Sequence, residues 1–564
     1  MRTGFALLAA VVVTALAATH AAAQTVHVPA DFSTIQAAIQ SGATLVYVAE
    51  GTYRESLVIE STVTLLPEPP ADPMAALPFP RVWGLAIGRP PGVHPDVYVR
   101  GFHFTGSVRA CNSSTYSGRT VIEGCRLDAG FMSTCTGGIG ETVHIRSCII
   151  TGDVYLNAYG DDFTNNTVRA GSVQVHSNGH GAVIRDNIVL GPSANGLMST
   201  SGDSPGSITG NFVSGVTTGY TLAFGVASDN IAEDCGGLGF AVGGPRWAGS
   251  ARFTNNVARR CGTGIGLFDK PAGATVNLNQ VDSARTVGIH VGSAVAALVT
   301  GNVVLASGSH GILVEGYLPP TGNTVLHSGG DGIVSPETPE WNVVGRSAGR
   351  GIVAPLARHN TAYLNGGAGL QLSGAGGGAD TVSHNIAHAN GGHGLVWTGT
   401  GAVALACNDW YGNSSGATSG VPMGATDLSV HPYFCDLPAD DARLSSGSPL
   451  LAFTACGPIG ALGVGCTGTT SAGGDPPPAA RLTASPNPTR GATDLRWSGG
   501  GAACRIEVFD VTGALRLRAE LPAGPTSWRW NGNDGAQRAL PGGTYWVRRT
   551  EGLVREHARV TLTR

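Results

Sequence analysis

"NVVLASGSHGILV", Asn302 to Val314, is followed by "NTVLHSGGDGIV", Asn323 to Val334. Both stretches share one frame: an asparagine, a short apolar run, then a Gly-Ile step. The asparagine recurs at Asn166, Asn187, Asn211, Asn230, Asn256, Asn279, Asn302, Asn323, Asn360, Asn385 and Asn408. Phe102, Cys125 and Cys148 hold the same place upstream, 23 residues apart each time. Intervals of about 20–25 residues are the signature of a solenoid. The exception is the 37-residue interval from Asn323 to Asn360, read as an insertion that holds Trp341, with Tyr317 just before it.

Leucine-rich repeats have a similar period but need a leucine framework and a helical return. Here the segments are short, Val/Ile-rich and broken by glycine, which reads as strands. A second strand follows the asparagine in most later repeats. Within it Ile265, Ile289, Ile312, Ile333, Leu370 and Leu395 alternate inward and stack. The outward positions of that strand are Gly266, His290, Leu313, Val334, Gln371 and Val396, mostly uncharged. The asparagines suit tight turns because they tolerate the left-handed conformation, and their side chains can bond from rung to rung. The expectation is an all-β parallel β-helix of about sixteen rungs, a rod roughly 75–80 Å long at about 4.8 Å per rung.

Such a rod needs a cap at its open ends. Ser33 and Gln36 form a capping-box pattern, and Phe32, Ile35, Ala38 and Ile39 share one helical face. Ser33 to Gln40 is therefore expected to be a helical lid. Before it, Arg2, the apolar run Phe5 to Ala18 and Ala21-Ala22-Ala23 make a signal peptide over 1–23, with Gln24 at the mature terminus. No later segment is long and apolar enough to span a bilayer. Net charge is −4 and charged residues are 13 %, so nothing argues for nucleic acid. The expected location is secreted or on the outer cell surface.

Eleven cysteines in an exported chain imply disulfides. Rung spacing pairs Cys125 with Cys148, Cys111 with Cys135 and Cys235 with Cys261, with buried free thiols in a cysteine stack as the alternative. Cys407, Cys435, Cys456 and Cys466 pair among themselves, and Cys504 is left over. No C-x₂-C pattern suggests a metal.

"VPADFSTIQAAIQSGATLVYVAEGTYRESLVI", Val28 to Ile59, resembles the opening of pectin-lyase-like right-handed β-helix proteins, with Val46, Val48, Gly51, Tyr53 and Glu55 in place. The resemblance covers about residues 28–466. It implies the fold, and it leaves open lyases, hydrolases, tailspikes and non-catalytic members. The expected division is a β-helix over 24–405, Cys-containing terminal rungs and cap over 406–466, and a Gly/Ser/Pro linker over 467–480. The remainder, 481–564, reads as an Ig-like β-sandwich. Asn487-Pro488, Val508-Phe-Asp510, Gly513, Trp530-Asn-Gly532, Asp534, Gly535 and Gly543-Thr-Tyr545 resemble the FlgD-like Ig-like module, kin to type IX secretion sorting domains. That resemblance implies a role in export or attachment, through secretion or surface machinery. Trp528, Trp530 and Tyr545 are its expected buried anchors.

Candidate chemistry is sparse. Asp269, Lys270, His290, His310, Glu315 and Asp331 lie on neighbouring rungs and are the candidate catalytic set. Tyr317 and Trp341 are candidate sugar-stacking aromatics. Asp161-Asp162, His180 and Arg185 follow the order of polygalacturonase motifs but lack the flanking residues of that pattern. Asn531, Asn533 and Asp534 lack the bidentate Glu of a Ca²⁺ loop, so no cofactor is expected. The expected function is binding of extracellular polysaccharide without turnover. A polysaccharide lyase or glycosidase, and a purely structural or adhesive rod, remain as alternatives.

Overall fold

The computed structural model describes residues 24–563 except 70–78, 89–94, 111–117, 134–141, 158–160, 177–181, 200–205, 244–249, 269–272, 376–379, 452, 454–455, 468–481, 488, 498–502, 511–513 and 552–553. The signal peptide, the pair Cys111 and Cys135, and nearly all of the linker lie outside the described residues.

The main body is a right-handed β-solenoid of about 17 turns with almost no helix. A typical rung holds three strands, such as Ala251–Thr254, Val257–Arg259 and Thr263–Leu267. Each pairs in parallel with its equivalent one rung on: Arg252 with Thr275, Val257 with Gln280, Ile265 with Ile289. Alternation sets the core. In Thr142–Arg146, Val143 and Ile145 are buried while Thr142, His144 and Arg146 face outward. The stacked inward residues make one continuous hydrophobic core from Val26 to Trp410.

The ladder is built as one repeated hydrogen-bonding unit. Asn302 Oδ1 accepts from the backbone N–H of Asn279 at 2.9 Å and from Asn279 Nδ2 at 3.0 Å. Asn302 Nδ2 donates to Val276 O and to Asn323 Oδ1, both at 2.9 Å. Two corrections follow. The interval from Asn323 to Asn360 is not an insertion but a full rung, because Asn342 takes its place in the ladder between them. The left-handed residue of the turn is not the ladder asparagine but its predecessor, as at Asn165, Asp186, Asp229 and Asn255. Asn, Asp and Gly tolerate that conformation best. A second internal ladder runs five residues on, through Asn365, Asn390 and Asn413. Asp427 ends the first ladder. It accepts twice from Asn408 and once each from Trp410 Nε1 and Gly424 N–H, so an acceptor-only side chain is satisfied there.

The N-terminal helix spans Ile35–Gln40 and buries Ile35, Ala38 and Ile39. Its N-cap is Thr34, not Ser33, and Gln36 does not close a capping box. The Gln36 side chain instead donates to Val58 O and accepts from Val58 N, while Glu55 accepts from the Ile35 and Gln36 N–H groups.

Among the described residues two disulfides form, Cys407–Cys456 and Cys435–Cys466. They fasten residues 433–466, which do not continue the stack but lie along the flank of the last rungs. There Phe434, Leu444, Leu450 and Ile459 bury Leu326, Val343, Tyr363 and Ile386. The expected bridges Cys125–Cys148 and Cys235–Cys261 are absent: all four side chains are buried free thiols. Stacking brings equivalent Cα atoms within disulfide range, but in-register parallel strands point their Cβ atoms the same way rather than at one another. The thiols of each pair stay in hydrogen-bonding contact without a disulfide between them, and each also donates on its own turn, Cys148 to Arg146 O and Cys125 to Glu123 O. Cys504 is also free and buried.

Residues 482–563 form a three-stranded and a four-stranded antiparallel sheet. Trp530 and Tyr545 are buried between them, with Trp497. Trp528 is only partly buried, so Trp497 takes the anchoring place expected of it.

Candidate functional site

Among the described candidates, His290 lies near Glu315 at 3.8 Å and His310 near Asp331 at 3.9 Å. Asp269 and Lys270 lie outside the described residues. His290 lies on the outward side of its strand, with its Nε2 at 3.8 Å from Glu315 and its ring edge-on to Phe268. His310 and Asp331 lie on the corner before the Gly-Ile strands, a different flank. Asp331 is held by Arg350 through a bidentate pair at 2.6 and 3.0 Å and by the Arg350 N–H at 2.8 Å. Burial opposes its ionisation, but these bonds prevail and keep its carboxyl below the usual range. Arg350 and Asp331 thus form an ion pair. The register of the outward column is as the spacing implies, with Val353 from the unforeseen rung added. Tyr317 and Trp341 are both exposed.

The Asp161-Asp162 motif is resolved by its neighbours, His180 being outside the described residues. Asp161 is buried and accepts from the Val143 N–H. Asp162 faces outward beside His144 and Arg146 of the preceding rung. His144 Nδ1 lies 3.3 Å from Asp162 Oδ2, and Arg146 Nε donates to the same oxygen at 3.1 Å. Burial lowers the His144 pKa against the pull of Asp162, with Arg119 and Arg146 adding to the lowering. Burial works the other way on Asp162, but hydrogen bonds from Arg146 and His144 hold its carboxyl below the ordinary value.

This pair belongs to a charged face on the 13-stranded sheet that sequence reasoning missed. Arg100, Glu123 and Arg146 pair in register on three successive rungs. Glu123 accepts from Tyr98 Oη at 3.2 Å and lies 3.8 Å from Arg100. Asp96 lies beside Arg119 and accepts from its N–H at 2.9 Å, so Arg100, Arg119 and Arg146 stand with Asp96, Glu123 and Asp162. The signal was present: these residues stand two before Phe102, Cys125 and Cys148, at the same 23-residue spacing. Through Thr164 and Arg185 the same column continues to Thr209, Ser228, Thr254, Asn277, Thr300 and Thr321, a track of hydroxyl and amide side chains, before Glu340 and Arg358. Among the described residues no cluster suits a metal ion, and no helix is long and apolar enough to cross a membrane.

A family model described as "Right handed beta helix region" matches residues 152–304. No curated protein matches the chain. Among solved structures, the chain is similar to the catalytic unit of a GH87 alpha-1,3-glucanase from Streptomyces thermodiastaticus, with 14 % identity and a TM-score of 0.27. That match covers 70 % of this chain and spans 66 % of the glucanase unit. The periplasmic alginate epimerase AlgG gives 14 % identity and a TM-score of 0.24, covering 62 % of this chain and 76 % of its own. The Azotobacter vinelandii mannuronan C-5 epimerase AlgE6 A-module gives 13 % and 0.19, covering 71 % and 94 %. Residues 152–304 match the right-handed β-helix repeat.

Proposed function

We propose that the protein binds an extended anionic polysaccharide lengthwise on the 13-stranded sheet and does not turn it over. The observation that supports this most directly is the in-register charged face of Arg100, Arg119, Glu123, His144, Arg146 and Asp162, set on a protein whose overall charge is negative. Arg100 and Arg146 repeat two rungs apart, with Arg119 on the rung between them, which suits a polymer whose carboxylates also repeat. A hydrolase would need a carboxylic acid kept protonated near neutral pH. Asp162 is instead held ionised by Arg146 and His144. We read the chain as exported, with Ile35–Gln40 capping the first rung. Residues 481–564 we read as a separate Ig-like export or attachment module that follows a 467–480 linker.

The test is titration of polygalacturonate and of alginate by calorimetry, with a neutral glucan as control. Wild type should bind a polyuronate with an affinity that falls as salt rises, because exposed charges are screened. The Arg119→Ala/Arg146→Ala double variant, checked for an unchanged melting curve, should lose at least tenfold. Binding of neither polyuronate, or equal binding by the double variant, overturns the proposal. Accumulation of unsaturated uronate or new reducing ends would favour the lyase or glycosidase reading instead.

A further inference from the structure

The left-handed turn position immediately before each ladder asparagine projects from the rod, one residue per rung. Most rungs fill it with Asn, Asp, Ser or Gly. Leu278, Gly301, Gly322, Trp341, His359 and His384 occupy it in succession over the later rungs. Tryptophan is among the residues least suited to this conformation: Trp341 has φ of 60°, and a bulky side chain there is a conformational outlier. Outliers of this kind persist where something else requires them.

Among the described residues, one face of Trp341 is covered by a stacked ring. His359 stacks on it with ring centroids 4.0 Å apart and planes 8° apart, and His384 stacks on His359 at 4.4 Å. The other face looks toward Gly322, where there is no side chain. A methyl group added at Gly322 would meet nothing closer than the Gly301 backbone nitrogen at 4.0 Å. One rung further, Leu278 leans across Gly301, since a methyl there would come within 3.0 Å of Leu278 Cδ2. The result is a notch with Gly322 as its floor and Leu278 and Trp341 as its walls. Both walls are exposed, at 48 % and 46 %. Thr321, Glu340 and Arg358 border it on the adjoining column, where Arg358 and Glu340 are partly exposed and 3.7 Å apart.

We propose that this notch is a second sugar subsite, which takes one uronate ring of the same polymer against the open face of Trp341. The apolar C–H face of a pyranose complements the electron-rich face of an indole. Thr321 is placed for ring hydroxyls and Arg358 for the carboxylate. The inference rests on the polysaccharide reading above and extends it. Nine rung steps separate Arg146 from Glu340 along one column, about 43 Å at about 4.8 Å each. The hydroxyl track joins the two ends. A polymer can engage both sites and gain from the second being intramolecular, whereas a disaccharide cannot.

Two variants test this. Gly322→Asn fills the notch with a residue that the same column already accepts at Asn165 and Asn255, and it leaves Trp341 in place. Trp341→Asn removes the wall while relieving the backbone, so the fold should tolerate it. The probes are polygalacturonate, alginate and their disaccharides. Both variants should bind the polymer at least tenfold more weakly than wild type. The doubly substituted protein should be no weaker than either variant, and disaccharide binding at the arginine face should be unchanged. Polymer binding at wild-type strength by Gly322→Asn overturns the subsite, even where Arg119→Ala/Arg146→Ala still loses binding and so upholds the first reading. Absence of any polyuronate binding by wild type removes both.

Discussion

Replacing Asn302 by Asp changes one NH₂ for one oxygen at a fully buried ladder position. The carboxylate retains the acceptor that serves Asn279. It loses the donor that reached Val276 O and Asn323 Oδ1, each at 2.9 Å. Two acceptors then face a buried negative oxygen with no proton between them. Removing one partner of a buried charged arrangement costs about 3–5 kcal/mol, a large share of the about 5–15 kcal/mol that holds a typical domain together. The group should escape by protonation, so its pKa in the folded state rises. The penalty is then absent at low pH and grows as pH passes upward from the unfolded value of about 3.9 toward the raised folded one. Asn277→Asp is the control: the same change two residues away, on the half-exposed face, where Asn277 Oδ1 already accepts from Thr254 Oγ1. It should lie within about 0.5 kcal/mol of wild type. Urea titrations from pH 5 to pH 8 measure both, and hydrogen exchange over residues 276–323 shows whether the loss is local, as expected when each rung contacts only its neighbours. Equal midpoints for the two variants, or an Asn302→Asp midpoint independent of pH, would refute the donor–acceptor account of the ladder.

Burial pushes Asp409 up to about 7 and His388 down to about 4, on adjoining rungs beneath the terminal segment. Asp409 loses stability as pH rises from about 4 to about 7 and His388 gains it from about 4 to about 6.5, each by at most about 3–4 kcal/mol. Wild type should therefore show a nearly flat melting temperature across that range, whereas Asp409→Asn should melt higher as pH rises; a flat profile for the variant would contradict this. Reduction of Cys407–Cys456, which closes a loop of 49 residues, should cost up to about 4 kcal/mol, and protease should then cut within 433–466 before the rungs. Alkylation with mass mapping should label Cys125, Cys148, Cys235 and Cys261 only after unfolding, and cross-linked peptides between them would refute the free-thiol assignment.

The sequence exposed whatever repeats in the chain. One ladder residue per rung, a small Gly-Ile step and inward Val or Ile were enough to define the rod, because each rung solves the same packing problem as the one before it. Asn342 carries the same signal as its neighbours, Val-Val after it and Gly351-Ile352 nine residues on; what sets its rung apart is brevity, 19 residues from Asn323 and only 18 to Asn360. The cysteine pairs show the converse limit. Spacing supplies the distance between rungs but not the direction of a side chain, and parallel strands make those directions alike. The flank segment was illegible because residues 433–466 bind by shape to side chains that appear in the sequence merely as outward positions. The charged face is the instructive case. Arg100, Glu123 and Arg146 had the period in plain view, but a charge column carries meaning only once the sheet that aligns it is known. The proposed notch goes a step further: it is defined by the missing side chains of Gly301 and Gly322 beside Trp341. A glycine in a repeat looks like a turn residue until the stacked neighbours show what space it leaves open.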